Sequence, residues 1–186
     1  MARLSAVDPG AVKGKTKDQL ARIHSALGMT PNMMRTMAQS PALLDGYLGF
    51  SQALGGGALP ATLRQQIALA VGEANRCVYC LSAHTAIGRQ VGLGAGEMEA
   101  ARRASSSDSR TDAALKFARL LVEKRGDVSD DDVDRLKAAG FSQGEIAEVI
   151  GHVALNIFTN YFNKAADVDV DFPRVELEQG AAAAIR

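Results

Sequence analysis

An all-α fold is predicted by three features of this sequence. Apolar residues recur at helical spacing in several long stretches, as in KDQLARIHSAL and TDAALKFARLLVEKRG. No stretch alternates apolar and polar residues for long enough to make a sheet. Start and stop signals punctuate the chain at helical lengths.

Those signals place the elements in order. Lys17 to Leu27 reads as a first helix, within an arm of residues 1–39. Ser40-Pro41 starts the next: serine caps, and proline suits the first helical position. This helix runs through LLDGYLGFSQAL to the break at Gly55-Gly56-Gly57, and Pro60 opens ATLRQQIALAVGEAN. Asn75-Arg76 is a hinge before CVYCLSAHTAIGRQVG, Gly92 to Gly96 a turn, GEMEAARRA a short helix and SSSDS a loop. Gly126 closes the amphipathic helix that follows, and Ser129 caps DDDVDRLKAAG, whose acids suit a helix N-terminus. Ser142 and Glu145 form a capping box for a last long helix ending near Lys164. The helical domain is thus expected over residues 40–166, with a tail from 167 to 186, including ADVDVDFP and GAAAAIR, on the surface or on a partner subunit. MTPNMMRTMAQSP holds four of the six methionines, expected as pliable core filler.

Composition narrows the function. The chain has 186 residues, 47% apolar and 23% charged, enough for a sizeable core. Its 21 basic and 21 acidic residues cancel, with no basic block, so neither nucleic acid nor an anionic membrane is expected as the main partner. There is no apolar run of membrane-span length and no signal-peptide pattern. A cytoplasmic, reducing setting is the expectation, where two cysteines point to redox, catalytic or metal chemistry more than to a structural staple.

Both cysteines fall in one short stretch, ANRCVYCLSAHTAIG. On a helix, Cys77, Cys80 and His84 share one face within about a 60° arc. Glu73 joins that face if the helix is unbroken, and otherwise ends the preceding helix, from which it could still approach. A thiol titrates near 8.5, and the thiolate is the nucleophile. A nearby imidazole and a helix N-terminus both favour the thiolate, and two thiols at i and i+3 can close a disulfide after one is oxidised. A peroxidatic cycle becomes possible: thiolate to sulfenic acid, then disulfide and water. Three alternatives stay open on the residues alone. A metal site of Cys77, Cys80, His84 and a carboxylate is conceivable, although zinc usually takes two such cysteine pairs. Two buried cysteines beside a core histidine would be inert. Disulfide exchange needs no peroxide, although a thioredoxin fold would place a strand, not a helix, before the pair.

Together with SPALLDGYLGF upstream and HVALNIFTNYFNKAADVDVDFP downstream, LRQQIALAVGEANRCVYCLSAHTAIGRQVGL resembles the carboxymuconolactone decarboxylase family, in its alkyl hydroperoxidase D-like branch. The resemblance covers nearly all of the chain after about residue 25. It implies an all-helical bundle, here with an N-terminal helical extension, that assembles as a trimer or hexamer. It also implies hydroperoxide reduction with an external dithiol as reductant and neither organic cofactor nor metal. By that resemblance Cys80 corresponds to the peroxidatic cysteine, Cys77 to the resolving one and His84 to the proton-relay histidine. The family glutamate twelve residues before the first cysteine is replaced by Gln65. Glutamine holds a hydrogen bond but takes up no proton at neutral pH, so Glu73 is the candidate substitute in the relay. A redox sensor using the same disulfide, and lactone-type chemistry without the thiols, are the competing functions.

On the last helix, His152, Asn156, Asn160 and Asn163 make a neutral polar stripe on an otherwise apolar surface. Such a stripe is expected to meet polar partners, at a subunit contact or lining the site. Tyr79 is expected to point off the reactive face, and His24 has no assigned role.

Overall fold

The computed structural model describes residues 2–178. Among these the chain forms nine α-helices and no strand: α1 (Gly14–Leu27), α2 (Asn32–Met37), α3 (Pro41–Gly55), α4 (Ala61–Ala74), α5 (Val78–Gln90), α6 (Ala95–Arg102), α7 (Ser109–Glu123), α8 (Asp130–Ala138) and α9 (Gln143–Ala166). No helix among the described residues is long and apolar enough to cross a membrane.

Local chemistry sets the boundaries. The Ser40 side chain accepts from Leu43 N at the start of α3, as the Ser-Pro signal requires. Capping boxes start α8 at Ser129 with Asp132, and α9 at Ser142 with Glu145. Asp132 also accepts from Lys124 Nζ at 2.7 Å, and these hydrogen bonds hold its carboxyl well below the usual carboxylate range. After α7 the chain reverses through Gly126 at φ 89°, a left-handed conformation that glycine takes without strain. Two expectations are corrected. The turn at Gly92 ends sooner, because Gly94 caps α6 and Gly96 is already helical. Residues 32–37, read only as methionine-rich filler, form α2.

Helix α4 is the centre, packed against α5, α6, α7 and α9. Its residues are buried without interruption from Gln66 to Glu73, as befits a helix that is apolar on nearly every side. Gly72 allows α5 its close approach: a Cβ there would meet Leu81 at 3.4 Å and the Cys80 Cβ at 3.8 Å. One core cluster joins α4, α7 and α9 through Ile67, Leu69, Leu115, Phe117 and Val149. A second gathers Leu20, Ile23, Met33 and Met37 of the N-terminal arm around Cys77, Cys80 and Tyr79.

The described part of the tail lies on this same chain. Val168 is buried, Val175 N donates to Ser82 Oγ at 3.0 Å and Glu178 N donates to Glu73 at 3.0 Å. The tail, expected on the surface or on a partner, runs along the surface of its own chain and straps α5 and α4 as far as Glu178. GAAAAIR lies outside the described residues.

Candidate active site

The turn between α4 and α5 builds the cysteine pair. Arg76 takes a left-handed conformation, φ 54°, and Cys77 is extended, so the chain breaks at the expected hinge. Cys77 N donates back to Gly72 O at 2.9 Å, and Cys77 becomes the N-cap of α5. Cys80 then sits in the first turn, with its backbone N–H directed at Cys77 Sγ. Helix α9 pins this turn: Asn75 Nδ2 donates to Asn160 Oδ1 at 3.0 Å and Lys164 Nζ to Asn75 O at 2.8 Å. The Cα atoms of Cys77 and Cys80 lie 5.3 Å apart and their sulfurs are joined in a disulfide. Both residues are buried, at 1% and 2% exposure.

The two sulfurs are not equivalent. Cys80 and His84 line a cavity of about 210 Å³, and Cys77 does not. The walls are mostly apolar, including Met29, Met33 and Met34 from the arm and Ile87 from α5. Tyr79 and Phe172 close one side as an edge-to-face pair, ring centroids 5.8 Å apart. Tyr79 thus lines the cavity instead of pointing off it. Its hydroxyl accepts from Met33 N at 3.1 Å, fastening the start of α2 across the site, and burial raises its phenol far above the ordinary value. The methionines are only partly core filler: Met37 is fully buried, whereas Met29 and Met34 face the cavity.

His84 stands in the wall between this cavity and a second, more polar one, also of about 210 Å³. Its Nδ1 lies 2.8 Å from Gln65 Oε1. With the amide oxygen as acceptor, Nδ1 carries the proton and Nε2 keeps its lone pair. The ring is half-buried but set deep among surrounding atoms, and desolvation pushes its pKa down to about 4. At neutral pH it is an uncharged base.

Glu73 is elsewhere. It lines neither cavity; its buried carboxylate accepts from Arg102 Nε at 2.8 Å and from Glu178 N at 3.0 Å. Because the chain turns at Arg76, Glu73 faces α6 and the tail, and the expected approach to the thiols is not seen. The group on the histidine is Gln65 itself.

The polar stripe of α9 divides. His152 and Asn156 line the second cavity with Gln65, Arg64 and Thr159. Burial, aided by the charge of Arg64, lowers the His152 pKa, and its Nε2 is buried without a hydrogen-bond partner. Asn156 Nδ2 donates to His152 O at 2.8 Å. Asn160 holds the hinge through Asn75 and lines neither cavity. Asn163, at the end of the stripe, lines the first cavity and donates to Cys80 Sγ at 3.3 Å. Sequence reasoning marked its face but not its contact with the thiol, and no sequence signal pointed to Phe172. His24 Nδ1 lies 3.4 Å from Thr30 Oγ1, away from the site. Among the described residues no group of three or more His, Cys, Asp or Glu side chains could hold a metal ion.

Residues 41–123 match the model of the carboxymuconolactone decarboxylase family. No curated protein sequence matches the chain. Several solved structures share its architecture. An uncharacterized peroxidase-related protein from Silicibacter sp. TM1040 superposes with a TM-score of 0.78 at 24% identity, over 89% of this chain and 91% of its own. The alkylhydroperoxidase AhpD core of an uncharacterized peroxidase-related protein from Ralstonia eutropha JMP134 gives 0.82 at 22% identity, over 91% and 92%. A cysteine-to-alanine variant of the debrominase Bmp8, in complex with 2,3,4-tribromopyrrole, gives 0.78 at 22% identity, over 90% and 91%. Similarity at these identities establishes the fold and no more. Residues 41–123 thus resemble the carboxymuconolactone decarboxylase family, and the chain is built on the alkyl hydroperoxidase D-like helical fold.

Proposed function

We propose that this protein is a thiol-dependent peroxidase that reduces apolar hydroperoxides through a Cys77–Cys80 disulfide cycle. The observation that carries this reading is the asymmetry of the pair: Cys80 opens onto an apolar cavity shared with His84, and Cys77 does not. In the reduced protein, His84 Nε2 accepts the Cys80 proton, and the N-terminus of α5 favours the resulting thiolate. The thiolate attacks the terminal oxygen of R–O–OH. The O–O bond breaks, Cys80 becomes a sulfenic acid and the alkoxide leaves with the electron pair, taking the proton from His84 to give the alcohol. Cys77 Sγ then displaces hydroxide from the Cys80 sulfur; with the thiol proton this leaves as water, and the disulfide forms. An external dithiol restores the pair in a reducing, cytoplasmic setting. Gln65 orients the imidazole, and Glu73 has no part in the relay. Association of copies is part of the proposal, supported by α3, an apolar helix with Phe50 exposed.

The test is turnover. Reduced protein supplied with dithiothreitol and cumene hydroperoxide should produce the alcohol catalytically. A reduced protein whose thiols persist under hydroperoxide would overturn the reading.

The likeness to a debrominase favours a second use of the same cycle, reductive removal of halogen from an apolar aromatic ring. Two thiols and Ar–Br would give Ar–H, the disulfide and HBr, so the electrons balance without another reductant. Bromide release from a bromopyrrole, with hydroperoxides inert, would select it.

A further inference from the structure

Asn163 is buried at 3% exposure, yet its amide is poorly used at both ends. Its Nδ2 has two sulfur acceptors, Cys80 Sγ at 3.3 Å and Met33 Sδ at 3.2 Å. Neutral sulfur is a weak acceptor. Its Oδ1 is buried without a hydrogen-bond partner, although Asn163 lines the reactive cavity. Buried amides are rarely left so. Two events would satisfy this one. Reduction of the disulfide puts negative charge on Cys80 Sγ, turning a weak acceptor into a strong, charge-assisted one. A donor hydrogen on a molecule entering the cavity would complete Oδ1.

We propose that Asn163 is a catalytic residue: its Nδ2–H holds the Cys80 thiolate, and its Oδ1 accepts the O–H of the peroxide oxygen under attack. The second half rests on the peroxidase reading; the first does not. One amide would thereby grip both reacting atoms, the sulfur and the oxygen it attacks, and turn the hydroperoxide's terminal end toward Cys80. The substrate class follows: an apolar body for the methionine and aromatic walls, carrying a protonated terminal oxygen.

The experiment uses the reduced full chain with Cys77→Ser, leaving Cys80 as the one thiol, and follows its alkylation by iodoacetamide against pH. Asn163→Ala should raise the alkylation midpoint by about one pH unit. Asn163→Asp, which keeps the shape but replaces the donor with a negative charge, should raise it further, and Asn163→Ser should recover part of the shift. Met33→Leu, which disturbs the same packing but keeps the amide, should leave the midpoint in place. An unchanged midpoint in folded Asn163→Ala and Asn163→Asp, or an equal rise in Met33→Leu, would overturn the proposal. The substrate half is read in chains with both cysteines, as the rate of cumene hydroperoxide reduction at a pH above every midpoint. Asn163→Ala should lose about tenfold there; an undiminished rate would overturn that half. If the parent resists hydroperoxide, the peroxidase reading fails, while the alkylation shift still decides the thiolate contact.

Discussion

Gln65 Oε1 lies 2.8 Å from His84 Nδ1, bridging α4 and α5 in the wall between two cavities. A neutral amide at this place orients the ring without charging it. Burial is left to dominate, and the imidazole stays an unprotonated base at neutral pH. Replacing Gln65 with glutamate tests this balance. A carboxylate at hydrogen-bond distance stabilises the imidazolium, so Gln65→Glu should raise the His84 pKa from about 4 toward its ordinary value, read by NMR titration. Gln65→Leu should leave the pKa low and slow the oxidation of Cys80 by roughly tenfold, through loss of ring orientation.

Acid should destabilise the fold through the same residue. The His84 pKa is near 6.5 when unfolded and about 4 when folded. Between those values the unfolded chain binds a proton that the folded chain refuses, so stability falls as the pH drops from about 6.5 to about 4. His152 is shifted in the same direction and adds to the slope. Thermal midpoints across this range should fall steadily in the parent and less steeply in His84→Leu.

The Glu73–Arg102 pair should matter for stability and not for chemistry. Both side chains are largely buried, at 6% and 14% exposure. Arg102→Ala leaves a buried carboxylate unpaired and should cost about 3 kcal/mol in denaturant unfolding. Hydroperoxide should still oxidise the folded fraction at close to the parent rate. A large loss of rate in folded Glu73→Gln would restore Glu73 to the relay.

Cavity size should select substrates. Ala83 and Ala86 line the reactive cavity from α5, and larger side chains there would fill it. Ala86→Phe should sharply slow cumene hydroperoxide while leaving hydrogen peroxide within about threefold of the parent.

Self-association should depend on α3 and α9. Phe50 and Ile150 are exposed, at 42% and 44%, on two helices that pack together. Phe50→Glu should shift the sedimentation profile toward the monomer, at unchanged helix content.

Much of the fold was legible because its signals are local. Ser40, Ser129 and Ser142 cap the helices they were expected to cap, since a serine oxygen meets the free N–H groups of the first turn within three residues. The hinge at Asn75-Arg76 was likewise visible, and it placed Cys80 in the first turn of α5. What escaped depends on distant contacts. The tail shows no strong periodicity, yet Val168 packs beside Ala166 and Phe172 reaches the cavity. Glu73 could approach the cysteines from either a continuous or a broken helix, and the turn that exposed Cys80 to the cavity sent Glu73 toward Arg102. Asn163 was visible as one of four polar residues on a face; only the folded chain separates the one beside Cys80 from Asn160, which ties down the hinge.

Cys80, and not Cys77, is the sulfur proposed to meet the oxidant. The direct measurement is mass spectrometry of reduced Cys77→Ser and Cys80→Ser after one equivalent of cumene hydroperoxide with dimedone present. A dimedone adduct on Cys80 in Cys77→Ser, with none on Cys77 in Cys80→Ser, is the predicted result. An adduct on Cys77 in Cys80→Ser, with Cys80 left unmodified in Cys77→Ser, would contradict it.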